Sequence, residues 1–499
     1  MVNDMDEKQN TPEQQVEHNH QDSHAGKYIR LKPFFFIMLI FTLILSSAGL
    51  TIFALTFGDE KVVEVGAPER REFQKLYQAY DQLKADYYAD IDQELLVNGA
   101  INGMIDSLGD PYSDYMNQDE ASQFKESISS SFQGIGAEIQ ERNGVISVVS
   151  PIKNSPAEKA GILTNDSITA VDGEDIIGMS ASEAVLLIRG EKGTSVTLTI
   201  QRGEQSDPME ITIVRDEIPI ETVYAEMLED NVAHIQITSF SENTYDELLA
   251  AITDMEESGM KAMVLDVRRN PGGLLNSAIN ISNLFVEDGK TLFQTKEKGK
   301  DAEVFSATGG SKVKVPVSLL IDEGSASASE ILAAAMRESA GTQLVGINTF
   351  GKGTVQTANE LTDGSNMKFT TAKWLTPDGN WIHEKGIAPD VKVEYPSYTK
   401  LPFLDASIEI KNGLLSDQVK SAEEMLTAVG IDTGKVDGLF DDQTEAAIKQ
   451  LQKEEELKET GILTGDTTYA LMDRLREKIE KEDPQLLKAK DLILKVLAK

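Results

Sequence analysis

The sequence contains no cysteine and only five histidines among its 499 residues. Without cysteine, thiol catalysis, disulfide bonds and cysteine-ligated metals are excluded. His18, His20 and His24 lie in a polar N-terminal tail, so only His234 and His383 lie in sequence that we expect to fold. Neither belongs to an HExxH-like pattern, which argues against a zinc hydrolase. The sequence therefore predicts no metal site and no cofactor.

A Ser-His-Asp triad would have to use one of these two histidines. His234 lies in the apolar run NVAHIQI (231–237), which favours a place in a strand or in the core. His383 lies in the turn-rich stretch TPDGNWIHEKG (376–386), where a catalytic role stays open.

Basic residues are scarce as well. The chain has 47 lysines and arginines against 83 aspartates and glutamates, which gives a formal net charge of −36. Binding of nucleic acid calls for a basic patch, so we expect no nucleic-acid partner. The length of 499 residues is typical of a chain with several domains.

One long segment, FFFIMLIFTLILSSAGLTIFALTF (34–57), carries no charge and is long enough to cross a bilayer. Basic residues precede it and acidic residues follow it, which predicts a cytoplasmic tail over 1–33. We therefore expect a single-pass signal anchor in a cell membrane, with the remaining chain outside the cytoplasm. A signal peptide cleaved near SSAG (46–49) is the alternative, and the length of the apolar stretch favours the uncleaved anchor.

Residues 68–127 are predicted to be helical. LYQAYDQLKADYY and LLVNGAINGMIDSL carry apolar residues at intervals of three and four, and DPYSDYM (110–116) interrupts the pattern. We interpret this segment as one that packs or that forms a homodimer, without a chemical role.

Residues 130–217 predict a small domain of short strands and two short helices. The order of these elements resembles a PDZ domain of the circularly permuted bacterial type. The resemblance implies that backbone N–H groups of GIGA (134–137) bind a peptide's C-terminal carboxylate, while the next strand pairs with the peptide. Arg189 follows the second helix, where it either pairs with a carboxylate or is an ordinary solvated arginine. The expected peptide-binding residues are Gly134, Ile135, Gly136, Ala137, Ile139 and Arg189.

Residues 218–400 alternate short apolar runs with helical patterns. AMVLDV (262–267), VSLLID (317–322) and QLVGI (343–347) suit strands that are buried on both faces. We therefore predict an α/β core that forms the enzyme domain.

Residues 411–476 are expected to form three amphipathic helices. The pattern resembles a peptidoglycan-binding domain with its DGxF turn at 437–440, although Leu451 stands where an aromatic residue is usual. A small protein-interaction bundle is the alternative. Residues 483–499 predict a separate C-terminal helix, so the whole chain is expected to be a multidomain α/β protein with a transmembrane helix.

The strongest chemical pattern lies in the α/β core. SLLIDEGSASASEILAAAMRES (318–339) places Ser327 where a helix should begin, and LVGINTFGKGTVQ (344–356) places Lys352 between two glycines. A serine hydroxyl needs a base, and a lysine can be one only when burial favours its neutral form. Gln356 lies four residues after the lysine, from where its amide can orient the amine.

Two further patterns bear on this site. DVRRNPGGLL (266–275) has two glycines before a helix, so Gly272 or Gly273 is expected to complete an oxyanion hole with the N–H of Ala328. GINTFGKGT (346–354) nearly spells a P-loop, but Gly353 follows the lysine and a strand pattern comes next, so we reject a nucleotide site.

The anchor, helical segment, PDZ-like domain and α/β core together resemble the carboxyl-terminal processing (tail-specific) proteases over about residues 70–400. The motifs that carry the resemblance are DPYSDY, GIGAEI, the PGG loop, EGSASASEI and FGKGTVQ. It implies a Ser/Lys dyad with Ser327 as nucleophile, Lys352 as general base and Gln356 as supporting residue. Ser325 and Ser329 are rejected because Ser327 alone matches the central serine of the family. Sporulation-associated members from Bacillus-type bacteria are the most similar by pattern.

The sequence and this resemblance therefore predict a serine endopeptidase that is anchored in a bacterial cell membrane, with its catalytic part outside the cytoplasm. Its substrates would be exported or membrane proteins whose C-terminal tails bind the PDZ domain, with peptidoglycan as a further partner and a signalling role in sporulation. The alternative is a catalytically inactive cell-wall scaffold that binds peptide C-termini and peptidoglycan.

Overall fold

The computed structural model describes residues 32–57, 70–142, 144–203 and 208–498. The described residues before Asp92 and those from Asp92 onward form two compact units. The predicted cytoplasmic tail, with its three histidines, lies outside the described residues apart from its last two positions.

The first unit contains two helices, α1 (Pro33–Phe57) and α2 (Gln74–Asp86), with a short 3-10 turn (Arg71–Phe73) before the second. Helix α1 covers the uncharged segment. Over the ranges that the structure describes, no helix is found to be both long enough and apolar enough to cross a membrane. The transmembrane helix predicted over 34–57 is therefore not confirmed.

The second unit begins with α3 (Gln93–Asp106), β1 (Asp114–Met116) and α4 (Gln118–Ile128). Both helices begin at a polar cap: Asp92 accepts hydrogen bonds from the first turn of α3, and Asn117 accepts one from the N–H of Glu120. The predicted break at DPYSDYM is a turn that leads into β1.

A small β-rich domain follows. Its elements are β2 (Ser131–Gly134), β3 (Ala137–Arg142), β4 (Val145–Pro151), α5 (Pro156–Lys159), β5 (Ser167–Val171), β6 (Glu174–Asp175), α6 (Ala181–Ile188), β7 (Ser195–Gln201), β8 (Met209–Val214) and β9 (Asp216–Pro219). The main sheet has the order β3-β4-β5-β7-β8, and β2 pairs with β9 in a separate ladder. Alternate residues of β7, including Val196, Leu198 and Ile200, are fully buried, as expected for a strand with one face on the core.

The α/β core follows β9. Its elements are β10 (Val223–Met227), β11 (Val232–Ile237), α7 (Thr244–Glu257), β12 (Ala262–Asp266), α8 (Leu275–Ser282), β13 (Thr291–Glu297), β14 (Glu303–Ser306), β15 (Val317–Ile321), α9 (Ala328–Ala334), β16 (Gln343–Gly346), β17 (Thr354–Glu360), β18 (Asn366–Leu375) and β19 (Val391–Lys392). The central sheet has the order β10-β11-β12-β15-β16-β19, parallel except for β10. A second, antiparallel sheet joins β1, β13, β14, β17 and β18.

Four helices complete the chain: α10 (Asp417–Ala428), α11 (Asp442–Glu454), α12 (Asp466–Lys481) and α13 (Pro484–Leu497). The first three are the expected amphipathic helices, and they pack as a three-helix module around a core that contains Phe440 and Leu451, both fully buried. Leucine thus occupies a core position at the place where an aromatic residue is usual.

The central sheet is covered on both faces, which explains its nearly continuous apolar strands. Leu265 and Leu319 pack with α7, α8 and α9. Their neighbours Val264 and Leu320 point the other way and pack with Ala489 of α13. The last helix of the chain is therefore part of the α/β core, although it follows the three-helix bundle in sequence.

Candidate active site

Three segments that the sequence singled out leave the same edge of the central sheet. The loops 267–274, 322–327 and 347–353 follow β12, β15 and β16, which are parallel neighbours. The carboxyl ends of such strands form the usual crevice for a functional site in an α/β sheet. The topology thus brings together the PGG loop, the serine and the lysine.

Ser327 lies immediately before α9, with φ 53° and ψ −111°. This region of backbone space is normally occupied by glycine, so a serine held there is strained. The strained residue makes the sharp turn from the loop after β15 into the helix, and the Ser327 carbonyl accepts from the N–H of Ile331 at 2.9 Å.

The neighbouring serines have structural roles. The Ser325 hydroxyl donates to the carbonyl of Val267 at 2.8 Å, and the Ser329 hydroxyl donates to the carbonyl of Asn270 at 2.9 Å. Both residues are fully buried, whereas Ser327 is half-buried. Of the three, Ser327 is the serine whose position suits contact with a substrate.

The PGG loop lies directly against the serine turn. A side-chain carbon added to Gly272 would lie 2.9 Å from Cβ of Ser327 and 3.0 Å from the nitrogen of Ala328. One added to Gly273 would lie 2.1 Å from the carbonyl oxygen of Phe240. Both glycines have positive φ, 105° and 142°. Only glycine therefore allows the loop to approach the serine so closely.

Asn270 joins the two loops. Its main-chain carbonyl accepts from the N–H of Ala326 at 3.0 Å, and its Oδ1 accepts from the N–H of Gly272 at 2.9 Å. The Gly272 N–H is thus already bonded. The Phe240 main chain bonds to the carbonyl of Gly272 and to the N–H of Leu274, on either side of Gly273. Of the two candidates for the oxyanion hole, the geometry favours the N–H of Gly273, together with that of Ala328.

Glu330 connects the serine turn to the lysine loop. Its Oε2 accepts from the N–H of Ser327 at 2.9 Å and from the N–H of Lys352 at 2.8 Å. Its Oε1 accepts from the N–H of Gly351 at 2.7 Å and from the hydroxyl of Thr349 at 2.6 Å. Burial raises the pKa of this fully buried carboxyl, while the four donors favour its charged form. The sequence interpretation missed Glu330, although Ser-x-x-Glu before an apolar helix is a capping-box pattern.

Lys352 is half-buried in a tightly packed loop. Side-chain carbons at Gly351 and Gly353 would lie 2.8 Å from the nitrogens of Gly386 and His383, which explains the two flanking glycines. The indole of Trp374 donates to the carbonyl of Lys352 at 2.7 Å. Burial holds the pKa of Lys352 below its usual range, and the nearby Lys368 lowers it further, against the opposing effects of Asp110 and Glu330. A lowered pKa favours the neutral form of the amine, which is the form that a base needs.

Tyr112 faces this lysine. The Lys352 amine lies 5.0 Å from the centre of the Tyr112 ring. The turn that carries the tyrosine is fixed by Asp110, which accepts from the N–H of Tyr112 and from the hydroxyl of Ser113. The sequence interpretation gave the stretch 110–116 no chemical role, and the structure places it at the site. Its pairing partner β18 lies far away in sequence, so periodicity did not place it here, although DPYSDY is one of the motifs that carry the family resemblance.

His383 lies beside the lysine loop. Its Nδ1 accepts from the N–H of Gly353 at 3.3 Å, and its ring stacks on Trp381 with centroids 5.1 Å apart. This arrangement gives the histidine a supporting role in the loop. His234 lies in β11 as expected, where its two ring nitrogens bond to Glu226 and Asp266.

Gln356 lies on β17 and is half-buried. Its amide nitrogen donates to the hydroxyls of Thr354 and Thr370, each at 3.0 Å. Both amide protons are used in these bonds, so Oε1 is the atom of this amide that can accept from an amine.

Successive parts of the chain match known sequence families. Residues 231–393 match peptidase family S41, 147–202 match the PDZ domain, 416–471 match a peptidoglycan binding domain, and 56–120 match the N-terminal domain of the activating protease CtpB. The carboxy-terminal processing protease CtpA of Bacillus subtilis is 50% identical over 463 residues, which are 92% of this chain and 98% of that protein. The chain belongs to peptidase family S41.

This chain is also similar to the carboxy-terminal processing protease CtpB of Bacillus subtilis, with 41% identity over 83% of this chain and 87% of that protein. The solved photosystem II D1 C-terminal processing protease is 27% identical, covers 68% of this chain and 95% of its own, and has a TM-score of 0.40. The predicted family and enzyme class, a carboxyl-terminal processing serine protease with PDZ and peptidoglycan-binding domains, are confirmed.

In the PDZ domain, the strand that was expected to pair with a peptide lies at the edge of the sheet. β3 is the edge strand of its sheet and begins at Ala137, the last residue of GIGA, with Ile139 within the strand. A side-chain carbon at Gly136 would lie 2.4 Å from Cβ of Ser155, so the loop packs closely against the start of α5. Ile135 is buried in the domain core, while its carbonyl accepts from the N–H of Ala157.

Arg189 of the S41 peptidase is paired within the chain. Its guanidinium lies 3.3 Å from Glu126 of α4 and 4.9 Å from the centre of the Phe132 ring. Gly134 lies beside the same side chain. In this structure the arginine therefore links the PDZ domain to the helix that precedes it.

Proposed function

We propose that Ser327 is the nucleophile and Lys352 the general base of this S41 peptidase. The observation that carries the proposal is the shared carboxylate of Glu330, which bonds to the main-chain N–H groups of both residues. A strained serine at a helix start and a lysine with a lowered pKa are thereby held together. A serine hydroxyl needs a base nearby to react, and the shared carboxylate supports this pairing by holding the two loops together.

In the proposed reaction the Ser327 hydroxyl attacks the scissile carbonyl carbon and transfers its proton to the neutral amine of Lys352. The resulting oxyanion accepts from the N–H groups of Ala328 and Gly273. The tetrahedral intermediate collapses as the Lys352 ammonium gives its proton to the leaving amine, which leaves an ester on Ser327. Lys352 then takes a proton from water, and the hydroxide attacks the ester. As the new C-terminal carboxyl is released, the Lys352 ammonium gives this proton to the leaving oxygen of Ser327 and restores the hydroxyl. Gln356 supports the lysine through its Oε1.

Cleavage of an unstructured protein such as casein tests this assignment. Ser327→Ala and Lys352→Ala should each abolish cleavage, whereas Ser407→Ala, outside the site, should leave it intact. Normal cleavage by either site variant would overturn the dyad. A wild-type chain that binds peptide C-termini and peptidoglycan but cleaves nothing would support the inactive-scaffold alternative.

The PDZ domain is proposed to bind the free C-terminal tails of protein substrates. The edge strand β3 and the close-packed glycine loop before it support this role. Matched peptides with a free or an amidated C-terminus test it by calorimetry. The free carboxylate should bind more tightly, and equal binding would refute carboxylate capture.

The helical module that follows the α/β core is proposed to bind peptidoglycan, because residues 416–471 match a family named for that activity. Co-sedimentation of the full chain with purified cell wall is the direct test. If the protein stays in the supernatant and does not sediment with the cell wall, a protein-interaction bundle is favoured instead.

Localisation at the membrane, through residues 34–57, is proposed from the uncharged sequence of that segment. Fractionation after alkaline extraction tests it, and release into the soluble fraction would contradict it.

A homodimer is proposed from the predicted helical packing segment and is tested by light scattering. A signalling role in sporulation rests on resemblance alone, and normal spore formation by a Ser327→Ala strain would contradict it.

A further inference from the structure

A buried ionic cluster lies where β12 ends and the PGG loop begins. Asp266 is the last residue of β12 and is fully buried. It accepts three side-chain hydrogen bonds from Arg268, the shortest from Nη2 at 2.6 Å, and it contacts His234 Nε2 at 3.1 Å. Burial opposes its charge, but His234 and Arg268 hold the pKa of Asp266 at about 2. The first turn of the loop is thus fixed by a charge pair.

The other side of Arg268 is held by the last helix of the chain. Its Nη2 lies 2.7 Å from Oδ2 of Asp483, and its Nη1 donates to Oε1 of Gln485 at 3.0 Å. Gln485 is fully buried and donates in turn to the carbonyl of Val393 at 2.8 Å. Arg268 itself is buried, so it has exchanged water for these partners.

Asp483 uses its two oxygens for two different purposes. Oδ1 caps α13 by accepting from the N–H groups of Gln485 and Leu486, at 2.9 and 3.0 Å. Oδ2 is the atom that pairs with Arg268. Capping of α13 requires only Oδ1. Oδ2 is therefore available to hold Arg268 at the start of the PGG loop.

Arg268 is two residues from Asn270, which sets the position of the PGG loop against the serine turn. Asn270 donates from Nδ2 to the carbonyl of Ile237 at 2.8 Å and accepts from Gly272. A shift of Arg268 is therefore transmitted over a very short stretch of chain to the donors proposed for the oxyanion hole.

We propose that Asp483 is a positioning residue for the oxyanion loop, acting through Arg268. The proposal rests on the function proposed for Ser327 and Gly273. Asp483 is two residues beyond the end of α12, the last helix of the three-helix module, so that module joins the core at the contact that steadies the loop. The start of α13 thus positions the oxyanion loop, while the body of the helix covers the second face of the central sheet.

The test compares two aspartates that cap helices in the same way. Asp483→Asn keeps a capping oxygen and removes the charge that pairs with Arg268. Asp441→Asn is the matched control, because Asp441 caps α11 through the N–H groups of Gln443 and Thr444, at 2.8 and 3.0 Å. The quantities to compare are kcat and KM for casein cleavage by the full chain, the rate at which a fluorophosphonate phosphonylates Ser327, and the melting temperature of each variant.

Asp483→Asn should lower kcat roughly tenfold to a hundredfold, as expected for a small displacement of a catalytic group, and should slow phosphonylation in parallel. KM should change little, and Asp441→Asn should retain wild-type rates. Rates within twofold of wild type for Asp483→Asn, or equal losses in both variants, would overturn the positioning role. The Ser327→Ala variant is assayed in the same experiment. If it cleaves casein, the proposed function itself is overturned. If it is inactive, the comparison of Asp483→Asn with Asp441→Asn decides the positioning role.

Discussion

The main-chain N–H groups of Ser327 and Lys352 donate to one and the same oxygen atom, Oε2 of Glu330. Residues that follow two different strands are thereby fixed within the reach of a single carboxylate. The second oxygen holds Gly351 and Thr349 of the lysine loop. The geometry of the proposed dyad thus depends on a residue that takes no proton in the reaction.

Replacing this carboxylate should damage catalysis without unfolding the protein. Glu330→Gln presents an amide N–H₂ to two N–H donors, and each unsatisfied buried donor costs about 1–3 kcal/mol. The serine turn and the lysine loop should separate, and kcat should fall about 100-fold. Glu423→Gln is the control, because Glu423 is a buried carboxylate in the helical module that accepts from Gly438 and Thr444. It should lower the melting temperature and spare kcat, and equal kcat losses would contradict the account.

The pH dependence should report the lysine. A general base works only when neutral, so kcat/KM should rise with pH through the pKa of Lys352 and then level off. Because burial and Lys368 lower this pKa, the rise should occur below the usual lysine range. Lys368→Gln removes one lowering charge and should move the rise to higher pH. Lys449→Gln is the control, because Lys449 lies in the helical module, and it should leave the pH of the rise unchanged. If the rise also stays unchanged in Lys368→Gln, Lys352 is not the base.

The histidine beside the lysine loop separates two kinds of active site. His383→Asn keeps an acceptor near the place of Nδ1, which bonds to the N–H of Gly353, but it cannot carry a proton as a base. If Lys352 is the base, this variant should retain activity within about tenfold, whereas Lys352→Ala should be inactive. Loss of all activity in a folded His383→Asn protein would revive the Ser-His alternative.

The closeness of the PGG loop to the serine makes Gly272 sensitive to a single methyl group. Gly272→Ala should displace the serine turn, because the new carbon would lie 2.8 Å from the carbonyl oxygen of Ala326 and 2.9 Å from Cβ of Ser327. Gly289→Ala is the control, because Gly289 also has a positive φ, 81° against 105° at Gly272, and nothing lies within 4 Å of the new carbon. Both should lose about 1–2 kcal/mol of stability from the positive φ. Only Gly272→Ala should lose kcat, and parallel kcat losses would count against close contact at the site.

Local patterns in the sequence predicted the elements that form the site. The runs at 262–267, 317–322 and 343–347 are short, apolar and bounded by turn residues, and β12, β15 and β16 form within them. The glycines around Lys352 and in the PGG loop also had an interpretable signal, because close approach of the backbone requires glycine.

Contacts between distant residues could not be predicted in the same way. Glu330 reaches Lys352, Tyr112 reaches the lysine from a turn far earlier in the chain, and Asp483 reaches Arg268 from the last helix. Each depends on strand order and on how layers pack, and neither propensity nor periodicity encodes these. The uncharged segment 34–57 did form a helix, while its assignment as a membrane span was not confirmed.

Phosphonylation of the intact protein by a fluorophosphonate, with the modified residue located by mass spectrometry, tests the central claim most directly. The account predicts one adduct, on Ser327, formed at a rate that falls sharply in Lys352→Ala and that is absent in Ser327→Ala. An adduct on Ser325 or Ser329, or an undiminished rate in Lys352→Ala, would contradict it.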